Sequence, residues 1–325
     1  MVLIDFYGRE LLNLRIAVTD DCNLRCSYCH MEGEEGKNKE EMSLDEIVYL
    51  SKIAVSLGMK NIKITGGEPL VRRDISEIVK GISSIPGLED LSMTTNATLI
   101  APLSKELKKN GLKRLNINLP SIREDTYKRL TKGDLEDALL GVKSAVESGF
   151  YPVKINMLLL KGINENEVME MVDFAQKTTK FLQLIELEPM NLSNEYYSNH
   201  YKSLREYEDF FKQRVEKIEI RNKMQNRPVY YLPNLKVEFV RSNGNADFCA
   251  NCTRLRITSD GKLKPCLMRN NNLVDVLKAM RNHVSDLEII EMFKIANQRR
   301  VPYYKSPERD LNPQPPVYET GALPG

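Results

Sequence analysis

Leu14-Arg15-Ile16-Ala17-Val18-Thr19 runs directly into Asp20-Asp21-Cys22-Asn23-Leu24-Arg25-Cys26-Ser27-Tyr28-Cys29. The first six residues alternate apolar and polar, the two-residue period of a strand with one face on a core. The ten that follow place three cysteines at the end of that strand. Further strand-like runs recur at residues 61–65, 90–94, 114–119, 153–160 and 181–187, separated by segments of helix length. Ser43 and Glu46, like Asp74 and Glu77, have capping-box spacing, and Gly58, Gly111 and Gly149 sit where helices should end. Strands alternating with helices predict parallel βα units. Six units rather than eight predict an α/β fold, an incomplete and open-sided (β/α)6 TIM-like barrel spanning residues 1–190.

The runs also disclose which way they face. Leu14, Ile16 and Val18 oppose Arg15, Ala17 and Thr19 on the first. Ile62 and Ile64 oppose Lys63 and Thr65 on the second, and Leu91 and Met93 oppose Ser92 and Thr94 on the third. Leu115, Ile117 and Leu119 oppose Asn116 and Asn118, while Val153, Ile155 and Met157 oppose Lys154 and Asn156. A closed eight-stranded barrel fills its centre with branched apolar side chains. Here the apolar faces are expected to meet the helices, leaving a polar lumen. Packed solid, such a lumen would strand many polar groups, so the pattern predicts a cavity holding water and a polar ligand. The cysteine loop, Gly66-Gly67-Glu68-Pro69, Thr95-Asn96 and Pro120-Ser121 all follow strand ends, the face on which barrel enzymes build active sites. Gly66-Gly67 reads there as backbone left bare for close approach by a ligand.

Beyond Met190 the alternation breaks down. Residues 191–212 are polar and Tyr-rich, and strand-like runs follow at 215–220, 229–232 and 235–240. Asp260-Gly261 has the character of a hairpin turn between runs at 255–258 and 262–263. These features predict a smaller C-terminal cluster-binding layer over the barrel mouth, residues 191–311, with an extended tail at 312–325. The charged stretch 32–41 is expected to be a solvated loop.

The chain has 325 residues with 42% hydrophobic and 28% charged, enough for a sizeable core. The net charge of +2 argues against a polybasic nucleic-acid binder. No apolar run approaches the roughly 18 residues of a membrane span, and the N-terminus lacks a secretion signal; a cytoplasmic protein is expected. No GxxxxGK[ST] loop is present, and the three histidines occupy no triad-like setting.

All six cysteines fall into two groups, Cys22, Cys26, Cys29 and Cys249, Cys252, Cys266. A disulfide framework does not suit a long chain without secretory context. Structural zinc is nearly always four-coordinate, and each group offers three thiolates; His30, adjacent to Cys29, is a poor fourth ligand. A four-iron cluster takes one thiolate per iron, so three thiolates leave one iron open to an outside ligand. The chain is expected to supply two such centres. Independently, Arg15, Lys63 and Lys154 share the lumen face, and Arg254 and Arg256, two apart on a strand, point the same way. Five converging cations repel one another without an anionic ligand.

The Cys22-x3-Cys26-x2-Cys29 run, with Tyr28 before its last cysteine, resembles the radical S-adenosylmethionine (SAM) signature. Together with Val18-Thr-Asp-Asp-Cys-Asn-Leu-Arg-Cys, the downstream Cys-x2-Cys-x13-Cys and Cys252-Thr-Arg254-Leu-Arg256, it resembles the GTP 3′,8-cyclase family of molybdenum-cofactor biosynthesis over nearly the full length. The resemblance implies that Cys22, Cys26 and Cys29 hold a 4Fe–4S cluster that binds SAM and releases a 5′-deoxyadenosyl radical from it. It implies SAM contacts at Tyr28, Gly67 and Asn118, and a second 4Fe–4S cluster on Cys249, Cys252 and Cys266 facing the guanine. Arg15, Lys63, Thr94, Lys154, Arg254 and Arg256 match the family's GTP-contacting positions. The radical would take hydrogen from the ribose 3′ carbon, which then attacks C8. The implied partners are GTP, an electron donor such as ferredoxin or flavodoxin, the downstream cyclic pyranopterin monophosphate synthase and a second copy of the chain. Lys63 stands where the family carries Arg, Asn118 where it carries Ser, Glu188 near Met190 where it carries Met, and Leu-Pro-Gly325 where it ends Gly-Gly. The competing readings are a radical SAM enzyme with one auxiliary cluster acting on a peptide, and a zinc-stabilised binding module without catalysis.

Overall fold

The computed structural model describes residues 2–34 and 40–305. Six parallel strands form its centre: β1 (Asn13–Ala17), β2 (Asn61–Thr65), β3 (Asp90–Thr95), β4 (Arg114–Asn118), β5 (Val153–Leu158) and β6 (Phe181–Ile185). Each matches an expected run to within two residues at either end. Helices α1 (Leu44–Ser56), α2 (Ile75–Ser83), α3 (Ser104–Lys109), α4 (Glu124–Thr131), α5 (Leu135–Glu147) and α6 (Val168–Lys177) connect them. Leu14, Ile16, Ile62, Ile64, Leu91, Met93, Leu115, Ile117, Ile155 and Met157 join the helix faces in one continuous core, as the alternation requires.

The caps divide. Ser43 and Glu46 form a complete capping box on α1. Asp74 makes no side-chain cap on α2; Arg72 takes its carboxylate instead, Nε to Oδ1 at 2.9 Å and Nη2 to Oδ2 at 2.7 Å. A bidentate guanidinium outcompetes a single backbone N–H for the carboxylate.

The C-terminal chain continues the same sheet at both edges, a topology that composition does not disclose. After α7 (Asn194–His200) and α8 (Arg205–Lys212) come β7 (Lys217–Arg221), β8 (Arg227–Leu232) and β9 (Leu235–Val240); β9 lies parallel to β6, and the β7–β8 hairpin follows outside it. Beyond α9 (Ala246–Ala250), β10 (Arg254–Ile257) pairs in parallel with β1. It is followed by β11 (Lys262–Lys264) and β12 (Val274–Asp275), then α10 (Val276–Arg281) and α11 (Asp286–Gln298). Twelve strands thus form one open sheet with β12 and β7 at its edges. The turn between β7 and β8 bridges the open side: Thr253 Oγ1 donates to the Lys223 carbonyl at 3.0 Å. Among the described residues no helix is long and apolar enough to cross a membrane. The expected tail, 312–325, lies outside the described residues.

Candidate active site

Two adjoining cavities occupy the lumen. The upper one, about 300 Å³, is lined by all six cysteines and by the strand-end residues. The lower one, about 450 Å³, lies toward the N-terminal ends of β1–β4. Arg15, Asn116, Gln183, Arg227 and Arg254 line both. The polar lumen is therefore real. Arg15, Thr65, Thr94, Asn116, Asn118 and Asn156 face the upper space, and Lys63, Ser92 and Lys154 the lower.

The first cysteine loop is tied to the end of α4, where Arg25 N–H donates to the Thr131 carbonyl and Ser27 N–H to the Leu130 carbonyl, each at 2.9 Å. Tight turns place each pair of close cysteines: Cys29 N–H donates to the Cys26 carbonyl at 3.2 Å, and Cys252 N–H to the Cys249 carbonyl at 3.2 Å. All six thiols are free. Burial pushes those of Cys22, Cys26, Cys29, Cys249 and Cys266 up. At Cys252 burial is outweighed by Arg300, Arg254 and Arg9, which draw its thiol below the usual value. Three free thiols facing one cavity are a donor set that a multi-iron cluster can take, since a bound metal takes them as thiolates. Among the described residues no three His, Cys, Asp or Glu side chains are gathered closely enough to hold a single metal ion.

The turn after β2 is nested against the chain that follows β1. A Cβ on Gly66 (φ +151°) would lie 2.3 Å from the Thr19 carbonyl oxygen, and one on Gly67 2.2 Å from that of Asp21. Only glycine permits that contact. Glu68, 1% exposed, accepts from Thr95 Oγ1 (2.7 Å), Asn96 N–H (2.7 Å) and Leu70 N–H (3.1 Å). Burial pushes its carboxyl up to about 7, against the pull of those donors. Asn96 in turn donates to Asn23 Oδ1 at 2.9 Å, beside the first cysteine. Tyr28, Gly67 and Asn118 all reach the upper cavity. Asn118 Oδ1 accepts from Asn156 at 3.0 Å, and Asn156 Oδ1 is buried without a partner among the described residues. Glu188 faces the cavity and accepts from Ser242, whereas Met190 is buried against Gly33.

Strand register aligns the cations. Arg15 stands beside Lys63 on β2 and Arg256 on β10, with Ser92 and then Arg114 completing the row. Like charges side by side on neighbouring strands destabilise a sheet. Arg15 is pushed down to about 10, by burial and by Arg256, against the opposing pull of Glu32. Lys63 falls well below its usual value through burial, then Arg15, Arg114 and Arg254; Arg254 falls likewise through burial, Arg15 and Arg227.

Two of the five expected cations carry their own counter-anion, which sequence reading missed. Lys154 Nζ lies 2.7 Å from Glu238 Oε2, and Arg256 Nη1 lies 3.1 Å from Glu32 Oε2. Glu32 therefore corrects the expectation of a solvated stretch at 32–41: a left-handed backbone (φ 49°) turns it inward, where Arg256 compensates its burial. Residues 35–39 of that stretch lie outside the described residues. Arg227, Gln225 and Gln183 are further cavity residues not foreseen. Gln183 was detectable as the single polar residue of an otherwise apolar strand run, and Glu238 as one of two, with Lys236.

Comparisons with known proteins fall in line with this geometry. Residues 16–175 match the radical SAM superfamily and residues 181–306 match Molybdenum Cofactor Synthesis C. A Thermococcus kodakarensis protein named probable GTP 3′,8-cyclase is 46% identical over 314 residues, covering 94% of this chain and 100% of the relative. The same name is borne by a Methanocaldococcus jannaschii protein, 40% identical over 93% of this chain and 99% of its own. Among solved structures, Streptococcus suis SuiB bound to S-adenosylmethionine superposes with a TM-score of 0.62 at 18% identity, over 84% of this chain and 65% of that longer one. At that identity the likeness is one of fold.

Proposed function

The chain belongs to the GTP 3′,8-cyclase family of radical SAM proteins, and on that premise we propose that it joins the 3′ carbon of GTP's ribose to C8 of its guanine. The product is (8S)-3′,8-cyclo-7,8-dihydroguanosine 5′-triphosphate, and the reaction is the first step of molybdenum-cofactor biosynthesis. One observation carries the reading: both cysteine trios and an under-neutralised row of cations face a single continuous lumen.

Cys22, Cys26 and Cys29 would hold the 4Fe–4S cluster, with Tyr28, Gly67 and Asn118 around SAM. Cys249, Cys252 and Cys266 would hold a second 4Fe–4S cluster bordering the same cavity. When bound, the first cluster and SAM supply a carbon radical able to take a hydrogen atom from the ribose. The chain's own residues orient the substrate. Arg15, Lys63 and Arg254, which form no ion pair among the described residues, receive the phosphates together with Lys154 in the lower cavity. Arg256, kept in place by Glu32, and Thr94 border the upper one. This arrangement leaves the guanine end between the two cysteine groups. The surrounding sheet limits the access of water to a reactive radical.

The reaction consumes electrons, for which a low-potential carrier such as ferredoxin or flavodoxin is the proposed source. Cyclic pyranopterin monophosphate synthase is the proposed recipient of the product, and a homodimer in the cytoplasm the proposed state. The proposed division of the chain is 1–190 for the radical SAM barrel and 191–311 for the second cluster. Anaerobic incubation with reductant, SAM and GTP should yield 5′-deoxyadenosine and cyclised nucleotide together. Turnover on a peptide with no GTP-dependent product would overturn the reading.

A further inference from the structure

The two ends of the described chain meet behind the second cysteine group. Asp5, Arg9 and Arg300 are all buried there, Arg300 at 1% exposure. Asp5 Oδ2 lies 2.8 Å from Arg9 Nε and 3.4 Å from Arg300 Nη1. Each arginine also donates to the other's backbone carbonyl. Arg300 Nη1 also donates to Asn297 Oδ1 at 2.9 Å, and both arginines reach the cysteine loop, Arg9 Nη1 at the Cys249 carbonyl (2.9 Å) and Arg300 Nη2 at the Cys252 carbonyl. Arg300 Nε is buried with no hydrogen-bond partner among the described residues.

Charge completes the picture. Two guanidinium groups share one carboxylate, so the trio keeps one net positive charge. A buried excess charge is costly without an anion nearby. The groups in reach are those of the cysteine loop, where Arg300 Nη2 sits on the Cys252 carbonyl and Arg9 Nη1 on the Cys249 carbonyl. Hydrogen bonds to cluster sulfurs and nearby charge set the reduction potential of an iron–sulfur centre.

We propose that Arg300 is a positioning residue of the second cluster site. Held by Asp5 and Arg9, it fixes the Cys249–Cys252 loop and places a permanent positive charge beside the Cys252 ligand, raising that cluster's reduction potential. The inference rests on the reading of Cys249, Cys252 and Cys266 as cluster ligands.

The test is a redox titration of full-length, anaerobically reconstituted protein followed by electron paramagnetic resonance, with Cys266→Ser identifying the second cluster's signal. Arg300→Gln should move that signal to lower potential and leave the first cluster's unmoved. Arg300→Lys, which keeps the charge and loses the fork, should lie between it and wild type. Asp5→Asn removes the counter-charge and should move the signal the opposite way, a divergence that general loosening does not produce. If Arg300→Gln sheds irons from the second site alone while Arg300→Lys keeps them, the positioning role stands. Unchanged potentials in both the Arg300→Gln and Asp5→Asn proteins would overturn it. Wild-type protein holding about four irons rather than eight would instead remove the two-cluster reading, and this role with it.

Discussion

Lys154 Nζ on β5 and Glu238 Oε2 on β9 lie 2.7 Å apart, both buried, at the base of the lumen. The other carboxylate oxygen takes Arg221 Nη1 at 2.5 Å, and Gln183 donates to the shared one. One anion thus joins three donors from three strands. Burial pushes the Glu238 carboxyl up, but Lys154, Arg227 and Arg221 hold it well below its usual value.

Replacing Glu238 by Gln should therefore destabilise the fold by about 3–5 kcal/mol, the cost of leaving buried charge uncompensated. Urea unfolding measures this. Pyrophosphate should restore more stability to the variant than to wild type, because it returns an anion to the same cations. A variant as stable as wild type, and indifferent to pyrophosphate, would refute the role given to Glu238.

Lys63 is the opposite case: its neighbours repel it and no ion pair among the described residues holds it. Lys63→Met should leave the substrate-free protein at least as stable as wild type. It should raise KM for GTP about tenfold or more, since a charge-assisted hydrogen bond contributes roughly 1.5–3 kcal/mol. Steady-state kinetics beside a thermal melt decides; a lower melting temperature with unchanged KM goes against phosphate binding there.

Glu68 predicts a pH dependence. Its folded pKa of about 7 lies above the ordinary 4.5, so between those values the folded chain holds a proton that the unfolded chain has released. Its contribution to stability is complete below about pH 4.5 and is lost as pH rises through 7, on the order of 3 kcal/mol in all. Glu68→Gln should flatten that part of the curve, and an unaltered slope in denaturation from pH 4.5 to 7 counts against this assignment.

Iron and sulfide analysis should find about eight irons per chain in wild type, from two four-iron clusters. In Cys266→Ser the second cluster should be impaired and the first retained. Eight irons in that variant would show that Cys266 is not a ligand.

Gly67→Ala puts a methyl group 2.2 Å from the Asp21 carbonyl oxygen. The turn must shift by more than a rotamer change, at a cost of roughly 1–3 kcal/mol. SAM binding, measured by equilibrium dialysis on the reconstituted protein, should weaken more than this loss of stability explains, because the turn borders the first cysteine loop. Wild-type affinity would argue that the turn does not contact SAM.

The barrel and its inward face were readable because both follow from a local rule. Alternation with period two decides which side chains leave a strand together, and no distant contact is needed to see Arg15 opposite Leu14 and Ile16. Cysteine spacing is equally local, so both trios declared themselves. Which anion neutralises which cation is not a local property. Glu238 meets Lys154 across 84 positions of sequence, and Glu32 meets Arg256 across 224. Those pairs exist because β9 docks on β6 and β10 on β1, a choice made by long-range strand pairing rather than by any run of residues. Sequence alone therefore determined the chemistry on offer: two sets of three thiols and a basic, polar interior. The tertiary structure decided how the charge is balanced, leaving Arg15, Lys63 and Arg254 without an ion pair among the described residues, since only folding sets the distances over which charges act.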